Sequence, residues 1–187
     1  MNSSNMIGRM IGAAFLNKKI VNEIEHDKSL DSEALKVVIL VVLADGIGLA
    51  LSYWMGGGTP NILGVLIRLG FSVVVGVFIY WVWAFVTYYV GTSLFKGTAD
   101  TAQLRRTLGY AQTPRALGLF AFLPTIGPWM AGIAFLWAFI AGFFAVREAL
   151  DISTGKTFAT VFLGWILAGF LLFFLAFLVG VPYLAMI

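Results

Sequence analysis

Between Arg115 and Arg147 the chain runs for thirty-one residues without a charge, ALGLFAFLPTIGPWMAGIAFLWAFIAGFFAV, interrupted near its middle by Pro124-Thr-Ile-Gly-Pro128. An unbroken α-helix of that length would be about 46 Å long, against a hydrocarbon core of about 30 Å. Two ordinary spans need about 40 residues, so the run is also slightly short for a hairpin. Whether it crosses a membrane once or twice fixes the topology of the whole chain.

That a membrane is involved follows from the rest of the sequence. Several stretches approach or exceed the ~20 apolar residues of a membrane helix. Only 11% of the 187 residues are charged, less than half of the ~25% usual for soluble domains. The chain therefore reads as an all-α, polytopic integral membrane protein. It has no cysteine, which removes disulfides, thiolate metal sites and cysteine nucleophiles. The net charge of +3 is no sign of nucleic-acid binding, because basic residues in a membrane protein are read by the loops that hold them. The N-terminus is not a signal peptide, since Arg9 breaks its short apolar run.

Five spans are expected, at about 34–54, 62–95, 108–123, 129–146 and 158–181, after an N-terminal segment 1–33. In that segment Met6, Ile7, Met10, Ile11, Ala14, Val21 and Ile24 share one helical face, opposite Arg9, Gly12, Lys19 and Glu23. It is either an amphipathic helix lying in the membrane interface or a cytosolic helix packed on the loops. Met55-Gly-Gly-Gly-Thr-Pro60 marks the first outer turn. With five spans, eleven of the twelve Lys and Arg fall on one side and none in the loops opposite. A single bent span at 116–146 would move two of them across. The positive-inside rule thus favours the hairpin, with the N-terminus cytoplasmic and the C-terminus outside. Span 3 must then start upstream, near Leu108, with Arg115 snorkelling toward the cytoplasmic interface. A re-entrant loop would keep the same parity.

Asp45 and Arg68 are the only charges well inside the spans. An unpaired charge there is costly, so the two are expected to pair, as a structural ion pair or as part of a proton or ion relay. Ala131, Ala134, Ala138, Ala141 and Ala145 form a small-residue stripe on span 4, a face for close helix packing within the chain or against a partner. Leu150-Asp-Ile-Ser-Thr-Gly-Lys-Thr157 approaches a phosphate-binding loop, but its first glycine is Leu150 and a membrane helix precedes it, so a cytoplasmic turn is the simpler reading. His26, the single histidine, lies outside the spans, and Asp45 is the only intramembrane aspartate. Intramembrane Ser–His and paired-aspartate proteolysis are thereby excluded. The acidic residues of 23–33 read as a solvated helix face rather than a cation site.

At span 3, Leu108-Gly109-Tyr110-Ala-Gln-Thr-Pro114 resembles the G-Y-x-x-x-P feature that opens the third span of the Ypt-interacting-protein (Yip) domain family. Arg147-Glu148 followed by Ser153-Thr-Gly-Lys156 resembles the last cytoplasmic loop of its bacterial members. The resemblance in layout covers nearly the whole chain and implies a cytoplasmic N-terminus and five spans, in a group whose bacterial members share no clear common activity. Eukaryotic members act in vesicle traffic and contact Rab GTPases, but carry a long N-terminal region and a D-L-Y-G-P motif that this sequence lacks. The likeness is therefore to a bacterial-type member, and Rab-type GTPase binding is not expected.

The sequence as a whole reads as a non-enzymatic scaffold or partner of other membrane components, with no cofactor or metal. Its partners are membrane lipids, other membrane subunits or a second copy of the chain. A small transporter or channel using Asp45 and Arg68 is the alternative from a different class, and an accessory subunit of a larger complex is a third.

Overall fold

The computed structural model describes residues 5–59 and 61–184, and every regular element within them is helical. The N-terminal segment is two helices rather than one continuous face. Helix α1 (Met6–Ala14) is capped by Asn5, whose side chain accepts from Gly8 N, and α2 (Lys18–His26) is capped by Asn17. Leu16, at φ 58°, turns the chain between them. The break changes which face packs: Arg9, Gly12, Ala13 and Ala14 turn inward, while Ile7, Ile11 and Phe15 stay exposed. Arg9 is drawn inward by a carboxylate described below.

Asp27 caps the 3-10 turn Lys28–Leu30 through Ser29, and α3 (Asp31–Met55) follows directly. Asp31 and Glu33 lie in its first turn, where negative charge suits the helix dipole. Helix α4 (Ile62–Phe95) starts with an Asn61 cap and ends where Lys96 adopts a left-handed conformation. A capping box of Asp100 and Gln103 starts α5 (Thr101–Ala111). The last two helices are α6 (Gly127–Leu150) and α7 (Thr154–Leu184). Four helices, α3 with its preceding turn, α4, α6 and α7, are long and apolar enough to cross a membrane.

The first half of the disputed stretch departs from an ordinary span. The α-helix stops at Ala111, before Pro114, and the chain continues as a 3-10 helix over Thr113–Phe122. Proline has no N–H to continue the α ladder. The Tyr110 carbonyl instead accepts from the Thr113 hydroxyl at 2.6 Å. A 3-10 helix rises about 2.0 Å per residue against 1.5 Å for an α-helix. Helix α5 and the 3-10 arm together therefore extend about 36 Å, the same as the 24 residues of α6. The tighter winding by itself adds about 5 Å over the ten residues of the arm.

The bundle is dense at one end and open at the other. Val38 and Val42 of α3, Tyr80 and Ala84 of α4, Leu104 and Leu108 of α5, Val146 and Leu150 of α6 and Val161 of α7 form the main core. A second cluster joins Ile20 and Ile24 of α2 to Leu30, Val37, Val41 and Tyr110. Toward the start of α4 the large side chains of Leu63, Leu66, Phe71 and Val74 are exposed.

Candidate functional site

The open end holds a half-enclosed cavity of about 930 Å³ between α3, α4, the 3-10 arm, α6 and α7. Asp45 is in its wall and bonds Arg115, Oδ2 to Nη2, at 2.7 Å. Arg115 Nη1 also donates to Gln112 Oε1 at 3.3 Å. The expected Asp45–Arg68 pair is thus replaced by Asp45–Arg115. The reason lies in the winding of the arm. At three residues per turn, positions three apart are eclipsed, so Gln112, Arg115, Gly118 and Ala121 stand in one line, and all four line the cavity. An α-helix would have turned Ala121 to the side opposite Gln112. Arg115 consequently faces the bundle interior rather than an interface. Arg68, exposed on α4, lies in a neighbouring cavity of about 380 Å³ with Tyr53, Trp54 and Asn61. The two cavities share Gly46, Leu49 and Ser72 as wall residues.

The alanine stripe divides between two environments. Ala141 and Ala145 are buried and pack with Ala111, whereas Ala131, Ala134 and Ala138 line the cavity. Their small size keeps that space open instead of closing a helix contact.

At the dense end, Gly109, Tyr110 and Pro114 each have a physical role. A Cβ on Gly109 would lie 3.1 Å from the Ala34 carbonyl oxygen and 3.3 Å from the Tyr80 hydroxyl, so glycine permits α5 to approach α3 and α4. The Tyr80 hydroxyl donates to the Arg105 carbonyl. The Tyr110 hydroxyl donates to Glu33, and Arg9 grips the same carboxylate through Nε at 2.9 Å and Nη2 at 2.7 and 2.8 Å. Pro114 is buried at the start of the arm. Arg147 and Glu148 pair at 2.6 Å, and Glu148 also receives Lys18 at 2.8 Å.

Sequence reasoning missed Arg106. It is 2% exposed, and its guanidinium donates to Ile24 O at 3.0 Å, to the Glu25 carbonyl and to Asp31 Oδ1 at 2.7 Å. It closes the C-terminal end of α2 and fastens it to the start of α3. Beside it the buried Glu25 carboxyl accepts from Gln103 at 3.2 Å, and burial raises its pKa above the ordinary value. Arg106 shares its helix face with Gln103 and Tyr110, opposite Leu104, Leu108 and Ala111, and the pattern of α5 alone does not show that this second face is buried too.

The segment that approached a phosphate loop begins in α6: Leu150 is fully buried in the core and Asp151 forms a left-handed helix end. No strand precedes it. The His26 Nδ1 lies 3.0 Å from the Asn22 carbonyl oxygen. Among the described residues no three His, Asp or Glu side chains come together as a metal site.

An all-helical bundle with four membrane-capable helices, a fixed polar cap at one end and a cavity bearing a single ion pair at the other defines a polytopic integral membrane protein. A family model for the Yip1 domain matches residues 22–177. The chain belongs to the Yip1 domain family, as the glycine–tyrosine–proline segment and the layout of spans led us to expect. Comparison with curated proteins and with solved structures gave no match.

Proposed function

We propose that the chain is a non-enzymatic, five-span protein of a bacterial inner membrane that acts by helix packing with lipids and other membrane components. The N-terminus and the α1–α2–α5 cap face the cytoplasm. The observation that carries this reading is that the 3-10 winding stretches 108–122 to about 27 Å, close to the ~30 Å of a hydrocarbon core. That length supports a third crossing from about Leu108 to Phe122, entered from the cytoplasmic cap, and the one-sided distribution of Lys and Arg agrees with it. The exposed Leu63, Leu66, Phe71 and Val74 on α4 supply the lipid- or partner-facing surface. Ile7, Ile11 and Phe15, exposed on one side of the cap, suit insertion among headgroups at the interface.

Because the chain has no cysteine, single cysteines report topology directly. In intact cells Thr125→Cys should react with a membrane-impermeant maleimide, whereas Thr98→Cys and Ser153→Cys should react only after lysis. An unreactive Thr125→Cys in intact cells would exclude the five-span arrangement. Purification in mild detergent addresses the role: a lipid-free chain that runs alone and monodisperse would count against a packing partner.

Transport remains the second reading, now resting on Asp45 and Arg115 in the cavity wall rather than on Arg68. Proton or ion flux in liposomes that is lost in Asp45→Asn would favour it.

A further inference from the structure

The larger cavity carries a charge pattern that helix packing alone does not require. Its lining is mostly apolar, yet the side chains of Asp45 and Arg115 are 26% and 43% exposed within the chain. The contacts formed are few. Arg115 spends one donor on Asp45 and one on Gln112, and a guanidinium has five. Asp45 accepts one hydrogen bond, at Oδ2 from Arg115, while Oδ1 lies against Gly118 of the arm with no donor among the described residues. Asp45 stands ten residues from the end of α3, about 15 Å along the helix axis, at a depth where polar groups must find partners other than bulk water.

We propose that this cavity binds a zwitterionic phospholipid with a primary-ammonium headgroup, the phosphoethanolamine class. Its phosphate sits on Arg115 and Gln112, and its ammonium on Asp45. This goes beyond the packing role and requires only that α3 is embedded in the membrane.

Three features select this ligand. The first is net charge. Asp45 and Arg115 cancel, so a net-neutral ligand completes an alternating ring of four charges without bringing an uncompensated one into a low-dielectric site. An anionic phospholipid would bring one. The second is hydrogen-bonding chemistry. The planar guanidinium fork matches phosphate oxygens, and a carboxylate accepts only from a donor. A primary ammonium donates; a trimethylated ammonium has no N–H to give. The third is shape. The volume of about 930 Å³ lies toward the upper end of the ~300–1,000 Å³ usual for ligand sites. Ala131, Ala134 and Ala138 leave room for an acyl chain against Phe135, Phe139 and Trp165.

The test uses the full chain, stripped of lipid in mild detergent and offered equimolar phosphatidylethanolamine, phosphatidylcholine and phosphatidylglycerol with matched acyl chains. Bound lipid is read by native mass spectrometry. The unaltered chain should retain one phosphatidylethanolamine with at least fivefold preference over each of the others. Ala138→Trp fills the cavity from α6 without touching the ion pair, and should abolish retention while leaving the unfolding temperature unchanged. Arg115→Gln should lose retention, and Asp45→Asn should lose discrimination between the ethanolamine and choline lipids. Equal retention of the three lipids, no retention, or full retention in a folded Ala138→Trp variant would overturn the proposal. If the charge variants do not fold, the three-lipid comparison and Ala138→Trp decide it. If Ala138→Trp does not fold either, equal or absent retention by the unaltered chain still overturns it.

Discussion

Gly48 of α3 lies directly against the carbonyl of Gly118 in the 3-10 arm, with no room for a side chain on Gly48. On the opposite side of the same crossing, a Cβ on Gly118 would collide with the Asp45 carboxylate. The two glycines set the distance between α3 and the arm, and that distance places Arg115 on Asp45. Gly48→Ala and Gly118→Ala should each destabilise by about 1–3 kcal/mol, the usual cost of overpacking. Gly132, on α6 with open space where its Cβ would be, is the control. Gly132→Ala should be neutral or stabilising by up to about 1 kcal/mol. Thermal unfolding in mild detergent distinguishes the three, and a Gly118→Ala variant as stable as the parent would remove the crossing from the account.

Arg106 holds the α2 end by bonds to two backbone carbonyls and Asp31. Hydrogen bonds from a charged donor contribute roughly 1.5–3 kcal/mol each, and the carbonyls it leaves would be buried and unpaired. Arg106→Met should therefore loosen the cap by about 3 kcal/mol. Limited trypsin digestion provides the measurement, because Lys18 and Lys19 begin α2 and are exposed. Cleavage there should accelerate at least tenfold in the variant while the four long helices stay resistant.

Two ion pairs that attach the N-terminal segment should differ in strength. Lys18 meets Glu148 with a side chain 73% exposed, and such pairs contribute between zero and about 1 kcal/mol. Arg9 meets Glu33 in a two-oxygen grip shared with Tyr110, with a side chain only 10% exposed. Lys18→Ala should leave the unfolding temperature within a few degrees of the parent. Arg9→Gln should lower it clearly more, and the Lys18 effect alone should shrink in high salt. Equal shifts for the two variants would contradict this ranking.

Glu25 gives the cap a pH dependence. Its carboxyl is buried, and desolvation raises its folded pKa above the unfolded value, partly offset by His26 and Arg106. The folded state then holds the Glu25 proton more tightly than the unfolded state does. Its contribution to stability is full below the unfolded pKa and is lost as pH rises through the folded one. Asp27 has the opposite sign, because hydrogen bonds from Ser29 lower its pKa, but it is exposed. The difference in unfolding temperature between Glu25→Gln and the parent should therefore grow in favour of the variant as pH rises from the acidic side toward neutrality. A difference independent of pH would show that the carboxyl does not titrate in this way.

Much of the architecture was readable because hydropathy and loop charge are additive along a chain. The long apolar helices, the turn after Met55 and the cost of an intramembrane Asp45 needed only local residues. The partner of Asp45 was hidden for a geometric reason. Counting depth at 1.5 Å per residue puts Arg115 at an interface, whereas the tighter winding after Pro114 turns it inward and lines it up with Gln112 and Gly118. In the N-terminal segment Leu16 and Lys18 visibly break the apolar stripe, but that a left-handed turn at Leu16 divides the segment into two helices had no local mark. Arg106 was counted as a loop charge because its ligands, the Ile24 and Glu25 carbonyls, are backbone atoms eighty residues away and carry no mark in the sequence.

The 3-10 arm also sets a rule for variation in length. In an α-helix, removing three residues turns everything beyond the deletion by about 60° and exchanges one face for another. In the arm, three residues make one full turn. Removing or adding a triplet between Arg115 and Phe122 would leave the register of the cavity-facing line intact and only shift the turn before α6 by about 6 Å. The arm therefore tolerates changes in length in steps of three residues, while a single-residue change would swing everything beyond it a third of a turn away from the cavity.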